Sequence, residues 1–537
     1  MKFRNKHHVL SPDAPLLHPD HPRPVTRRDM IRQGFLGGVG SAFIPSVFNL
    51  FSTNAHATVA GDIQAMNPGC TLGTESLKKV PFICFDLAGG ANFAGSNVLV
   101  GGSGGQMDML TTAGYSKLGL PADMIPTDAG DNVDTDLGLA FHSDSQILAG
   151  IKERFVTNIN NTNGVVIPAR SDNDTGNNPH NPMYGIARYA LSQNGTFDEN
   201  NMGSWAQLMA LVGSRSSMSG GNSMAPGDLM VSSLQPTKVD RASDARGLIN
   251  TGSLMSLFNN DTAVAAQVLE AMARMSDDKL SRIQLLSDSN ADANLKDMIR
   301  CGYVKSSDIA ASFSSPAILD PFNDARIVGG ADANGSFTPI FTADELNSDR
   351  EFQKTASIMK LVIEGRAGAG CVTIGGYDYH TGDRRTGEAR DLRAGRCMGA
   401  CLEYAARHGV PLMLYVFSDG SVASNGMIDD SPGGRGKGVW TGDNSSTACS
   451  FILVYNPNSR PVLVDDTRQI GNMRSDASVN TGSSPAANNV NLLVDTVVLN
   501  YMALHGHQGQ FANLMGGSLG NIDSWTKFTQ LDYNFAT

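Results

Sequence analysis

The hydrophobic pattern along the chain alternates short apolar runs with amphipathic stretches. Lys79 to Leu87 reads as a buried strand running into the turn Ala88-Gly89-Gly90. A helical period spans Leu137 to Ile151, Arg154 to Ile159 reads as a second strand, and a helix begins near Met183. Residues 243–300 look helical, with Val264, Val268, Leu269, Met272 and Met275 spaced as a core-facing stripe. The C-terminal third is the most regular. It predicts helix Asp349 to Glu364, strand Gly370 to Ile374 and helix Gly387 to His408, then strands Pro411 to Phe417 and Ser450 to Tyr455 and helix Asn489 to Leu504. Alternation of this kind predicts an α/β fold with a mainly parallel sheet covered on both faces. The expected division is an α/β domain in two parts, 78–213 and 346–537, around a Ser/Gly-rich and helical insertion at 214–345.

The first 57 residues have a different pattern. Thr26-Arg27-Arg28-Asp29-Met30-Ile31 precedes a weakly apolar run from Gly34 to Phe51, and Ala55-His56-Ala57 offers a small-residue cleavage site. This is the layout of a twin-arginine signal peptide, which predicts export of the folded protein to the periplasm or cell envelope by the twin-arginine machinery. The alternative is a basic N-terminus followed by an anchoring helix. Residues 1–57 carry seven Lys/Arg and three Asp/Glu, so without them the formal charge moves from −11 to −15. That acidic balance argues against non-specific binding to nucleic acid or anionic lipid. No later segment approaches ~18 consecutive apolar residues, so no stable membrane span is expected after signal cleavage.

All seven cysteines lie beyond the signal, an odd number that leaves at least one without an intramolecular partner. Cys84 and Cys371 sit in strand-like runs as small buried hydrophobes, and Cys397 and Cys401 share one face of a helix. With no C-x-x-C, a structural zinc site is not expected.

In a parallel sheet, ligand groups gather in the loops at the carboxyl ends of strands. Three such loops stand out: Asp86 to Asn97, Gly375-Gly376-Tyr377-Asp378-Tyr379-His380, and Phe417-Ser418-Asp419-Gly420. Asp378 and His380 can present a carboxylate and an imidazole to one metal, with Asp419 from the next strand. The alternative is that Asp378 starts a turn and His380 packs against the loop. Arg384-Arg385 and the loop Gly433 to Gly438 bring cations and glycine amides, with Arg435 and Lys437 able to meet an anion; a solvated, mobile loop is the other reading. The acidic loops 128–136 and 172–176 lack full calcium-loop spacing and read as exposed turns. His142 and His180 could approach the site in the fold, the other reading being satisfied core or loop residues, and His505 and His507 are expected as part of a surface turn.

Gly375-Gly376-Tyr377-Asp378-Tyr379-His380 resembles the Gly-Gly-Trp-Asp-Thr-His block of a twin-arginine-exported bacterial family, domain of unknown function 1501. That family is grouped with the alkaline phosphatases and sulfatases. Phe85 to Asn92, Leu139 to His142, Pro179-His180, Val416 to Gly420 and Gly442-Asp443-Asn444 are similar to further blocks in the same order, over most of 80–460.

The resemblance implies a three-layer α/β/α sandwich like alkaline phosphatase. It also implies metals held by Asp and His around a Ser or Thr nucleophile. Asp86, Asp378, His380, Asp419 and Asp443 match ligand positions, enough for one divalent metal: zinc, manganese, calcium or magnesium. Asn92 stands where the family has Asp, Pro179 where it has Ser, and Asn444 where it has His. Thr175 or Ser171 in the same loop is the replacement nucleophile.

Two functions follow. One is a degenerate, non-catalytic binding or assembly component of the envelope with a protein partner there, which the lost positions favour. The other is a metal-dependent hydrolase of phosphate or sulfate esters, which the retained Asp-x-His favours.

Overall fold

The computed structural model describes residues 79–171, 179–192, 195–198, 209–214, 225–231, 234, 236–248, 262–285, 292–293, 296, 300, 316–377, 382 and 384–534. The chain divides into two compact units. In one, the described residues are those between 262 and 300; the other holds the rest.

The larger unit is built on strands β1 (Phe82–Ala88), β2 (Thr162–Pro168), β3 (Met209–Gly213), β4 (Thr237–Lys238), β5 (Ala367–Gly375) and β6 (Leu412–Phe417). A hairpin follows, β7 (Val422–Ile428) with β8 (Gly438–Asp443), and then β9 (Cys449–Tyr455). Its main helices are α1 (Gln146–Arg154), α2 (Met183–Leu191), α3 (Arg350–Ile363), α4 (Arg384–His408) and α5 (Val490–Ala503). The central sheet has seven strands in the order β2-β9-β6-β1-β5-β3-β4. Only β9 runs antiparallel to its neighbours, so β1, β2, β3, β5 and β6 all end at one edge.

Strand alternation divides the apolar side chains between the two faces. Phe82, Cys84, Met413, Tyr415, Phe417 and Ile452 join one core with α2 and α5. On the other face α3 lies against β5, where Gly370 leaves room for Ile358 and Val362: a Cβ there would sit 2.7 Å and 2.9 Å from their methyl groups. Helix α4 packs on α1 just as closely. A Cβ on Gly395 would lie 2.1 Å from the Ile147 carbonyl oxygen, and one on Gly399 2.5 Å from that of Ile151. The chain is therefore mixed α/β with a mainly parallel sheet, compatible with a three-layer α/β/α sandwich. Among the described residues no helix is long and apolar enough to cross a membrane.

Most expected elements of the C-terminal third are present within a few residues. Three expectations change. The strand expected at 154–159 is absent: α1 runs to Arg154, and the Val156 and Thr157 amides donate to Glu403 of α4 at 3.0 Å and 2.9 Å. The strand lies instead at Thr162–Pro168, where Val165-Val166-Ile167 supplies a β-branched run. Secondly, β3 and β4 extend the sheet from segments without a strong pattern of their own, so part of 214–345 belongs to the sheet. Thirdly, Met275 of the helix Thr262–Arg282 in the smaller unit is 56% exposed. Among the residues of that helix whose burial is described, Ala273, Ser276 and Leu280 are buried; Val264, Val268 and Leu269 of the expected stripe lie outside them.

Candidate functional site at the carboxyl edge of the sheet

The register of β1 places Asp86 directly opposite Phe417 of β6 on one side and Thr373 of β5 on the other. Paired residues of adjacent strands share a face, so these three form a row near the carboxyl edge. Asp86 is fully buried, and the Thr373 hydroxyl donates to its Oδ2 at 3.4 Å. The His180 ring stacks on Phe417, with centroids 5.8 Å apart and planes at 20°. Sheet register thus brings Asp86 and His180 to the same face.

One step beyond the strands, the turn after β6 is fixed on both flanks of Asp419. Ser418 Oγ accepts from the Ala91 amide at 2.7 Å and donates to the Leu87 carbonyl at 2.6 Å, tying the turn to the loop after β1. The Gly420 amide donates to Ser171 Oγ at 2.8 Å, tying it to the chain after β2. Gly90, at φ +102°, lets the two loops close on each other. Asp419 is consequently buried and held by its backbone.

Ser171 Oγ also lies 3.0 Å from His180 Nε2, and each residue is 2% exposed. Burial pushes the His180 imidazole down to about 4, so the ring is neutral near pH 7. Its Nδ1 has no hydrogen-bond partner among the described residues. Among the described residues Arg170, the residue before Ser171, bonds neutral side chains, Ser445 Oγ at 3.2 Å and Asn488 Oδ1 at 3.4 Å.

Of the residues proposed from sequence, Asp378 and His380 lie outside the described residues, as do Thr175 and the acidic loop 172–176. The strand that leads to Asp378 and His380 is described: β5 ends at this edge, and Arg390 of α4 donates to the Gly375 carbonyl at 2.9 Å. Gly376 adopts φ +88°, the left-handed region that favours glycine, and a Cβ there would also fall 1.8 Å from that guanidinium. Among the described residues no group of three His, Cys, Asp or Glu side chains is placed to hold a metal. Asp86, Asp419 and Asp443 are the described members of the expected set, and of these Asp86 and Asp419 are buried. Asp443 is exposed at the end of β8.

Arg435 and Lys437 are placed differently from a mobile, anion-facing loop. Lys437 is fully buried, with Nζ 3.0 Å from Glu388 and 3.2 Å from Asp144. Arg435 pairs with Asp144 and reaches Glu388 at 3.7 Å. Arg384, also buried, bonds Glu388 and lies 4.3 Å over the Trp440 ring. These cations tie the β7–β8 hairpin to α4 and to the turn before α1. Burial works to raise the Asp144 carboxyl, but Arg435 and Lys437 outweigh it and hold the group below its ordinary value. Beside them Asp391 accepts from Asn97 at 2.8 Å; burial, and then the Glu388 charge, push it up to about 7.

Two of the residues that differ from the resembled blocks, Asn444 and Asn92, have local roles. Asn444 Oδ1 accepts from the Ser446 amide and hydroxyl at 3.0 Å and 2.6 Å, capping a short turn, and Asn92 donates to the Val422 carbonyl at 2.5 Å. His142 is satisfied, between the Met124 carbonyl and the Asp144 amide. His505 is instead buried, accepting from the Val80 amide at 3.0 Å and bonded to the Tyr501 carbonyl, so it anchors the start of β1. The pairing of Ser171 with His180 was not legible in sequence, because their meeting depends on Phe417 and Gly420.

Comparison with protein-family models, with curated proteins and with solved structures finds no match to this chain.

Proposed function

We propose that this chain is a protein exported through the twin-arginine machinery, with an alkaline-phosphatase-like sandwich that hydrolyses phosphate or sulfate esters at the carboxyl edge of its sheet. The observation that carries the reading is the delivery of two buried carboxylates, Asp86 and Asp419, by the adjacent parallel strands β1 and β6 to that edge. Oxygen donors of this kind suit a hard divalent cation. With Asp378 and His380 they would hold one zinc, manganese, calcium or magnesium ion, which would supply Lewis-acid stabilisation of the ester oxygens. The setting is the periplasm or cell envelope, and the acidic chain does not need a nucleic-acid partner.

A second reading, a non-catalytic binding or assembly component with an envelope partner, is favoured by one observation. Arg435 and Lys437, the cations first assigned to an anion, are neutralised by Asp144 and Glu388. Metal analysis of the purified full chain, with assays on phosphate and sulfate monoesters, separates the two. The hydrolase reading predicts stoichiometric metal that is lost in Asp419→Ala and Asp378→Ala, together with turnover. A metal-free protein inert toward both ester classes sinks it in favour of the second reading.

A further inference from the structure

At the amino edge of the sheet, where α3 turns into β5, an enclosed lysine meets two carboxylates. Lys360 Nζ lies 2.6 Å from Asp324 Oδ2 and 2.5 Å from Glu364 Oε1, and the three side chains are 6%, 10% and 13% exposed. Tyr404 of α4 is fully buried, and its hydroxyl reaches the same two oxygens at 2.6 Å and 2.9 Å. We propose that Lys360 and Asp324 condense within the folded chain to an isopeptide bond, with Glu364 as proton acceptor and Tyr404 as proton relay. Both reactants belong to the chain, so no path from solvent is needed, and the bond is independent of the hydrolase reading.

The two carboxylates are held differently, and this sets their roles. Glu364 Oε2 takes the Arg366 guanidinium at 2.6 Å, a charge that keeps it an ionised acceptor. Asp324 instead caps the short helix Ala325–Val328: its Oδ1 accepts from the Arg326 amide at 2.9 Å, and its Oδ2 takes the Tyr404 hydroxyl. Amide and hydroxyl are placed to steady the charge that grows on these oxygens as nitrogen attacks Cγ. Burial works to raise the Glu364 carboxyl, and Lys360 and then Arg366 hold it down to about 2; the Lys360 share of that vanishes as the proton moves. Condensation removes the Lys360 and Asp324 charges together and leaves Glu364 with Arg366, so the set stays balanced with fewer charges kept from water. Amine and carboxylate already in contact gain an effective concentration of roughly 10⁵ M or more over free reactants.

In the reaction, Lys360 enters as the ammonium and Asp324 as the carboxylate. Nζ gives a proton to Glu364 Oε1, and the neutral amine bonds to Asp324 Cγ. Nζ then loses a second proton by the same route. Oδ2 collects both protons through Tyr404, its bond to Cγ breaks, and it leaves as water. Glu364 and Tyr404 end as they began, the net charge is unchanged, and no co-reactant is used. The reaction occurs once per chain, so a slow step suffices.

The test is tryptic peptide mapping by mass spectrometry of the full chain, purified folded and then denatured for digestion. The expected product joins residues 306–326 to residues 355–366, uncut at Lys360 and lighter than the two peptides together by about 18 Da, one water. Recovery of 306–326 alone, with the chain cut at Lys360, overturns the bond. A peptide 355–366 lighter by one water, with 306–326 free, puts the bond on Glu364 and overturns the part given to Asp324. Glu364→Gln is expected to lower the joined fraction by about 10-fold or more. An unchanged joined fraction in the folded variant removes Glu364 as the acceptor. Should Glu364→Gln fail to fold, the wild-type map still decides whether the bond exists and which carboxyl carries it.

Discussion

Lys437 Nζ lies 3.0 Å from Glu388 Oε2, with the lysine side chain fully enclosed and the glutamate 5% exposed. Glu388 also takes Arg384, Lys437 also takes Asp144, and Arg435 meets both carboxylates, so three cations and two carboxylates from α4, the hairpin and the turn before α1 meet in one set. Removing one partner from such a set leaves an uncompensated buried charge. Glu388→Gln, which leaves the enclosed Arg384 and Lys437 without their shared carboxylate, is therefore expected to lower unfolding stability by about 3–5 kcal/mol, measured by denaturant titration. A loss below about 1 kcal/mol, the range of exposed pairs, would show that the set is solvated.

Asp391 gives the neighbouring contact a pH dependence of definite sign. Burial, with the Glu388 charge beside it, pushes its carboxyl up to about 7 in the folded chain, from an ordinary value of 3.8. Between those values the folded protein holds a proton that the unfolded chain has released. Stability thus falls as pH rises through that window and levels off above pH 7. Asp391→Asn removes a slope worth about 4 kcal/mol in total. Buried His180 contributes the opposite slope between about pH 4 and its ordinary value of 6.5, because there the unfolded chain binds the extra proton. The comparison of wild type with Asp391→Asn isolates the aspartate; parallel stability–pH curves for the two would refute the assignment.

The close contact of α4 with α1 depends on glycine. Gly395→Ala places a methyl 2.1 Å from the Ile147 carbonyl oxygen, against backbone rather than a flexible side chain. The helices must separate, at a cost of about 1–3 kcal/mol. Gly482→Ala, which meets nothing within 4 Å, should stay within about 0.5 kcal/mol of wild type. Equal thermal melting shifts for the two would contradict this packing.

The five described cysteines, Cys84, Cys371, Cys397, Cys401 and Cys449, are free and buried. Burial pushes the Cys397 thiol up to about 12 and raises Cys84, Cys401 and Cys449 as well. Thiolate is the reactive form, so a thiol reagent should modify these five only after unfolding. Rapid labelling of any of them in the folded chain, located by mass mapping, counts against the burial.

Helix and strand alternation was legible because local periodicity sets it. The apolar runs of β1, β6 and β9 and the amphipathic α3 and α4 emerged within a few residues of where sequence placed them. The strand after α1 was misplaced because Arg154 to Ile159 and Thr162 to Pro168 are both short and partly apolar. Pairing with β9 on one side and the tie of Val156 and Thr157 to Glu403 on the other decided between them. The short β3 and β4 show the same limit: their place comes from β5, with little support from their own pattern.

At the site, sequence alone determined which residue types end the strands: Asp86, Asp419 and the glycines after β5. Those are local facts, since strand ends and turns follow from composition over a few residues. Tertiary structure decided what each charge and hydroxyl meets. It put Lys437 and Arg435 against Asp144 and Glu388, aligned Asp86 with Phe417 and Thr373, and brought Ser171 to His180. Charge pairing and hydrogen bonding act over a few ångströms of space, and distance along the chain does not measure that.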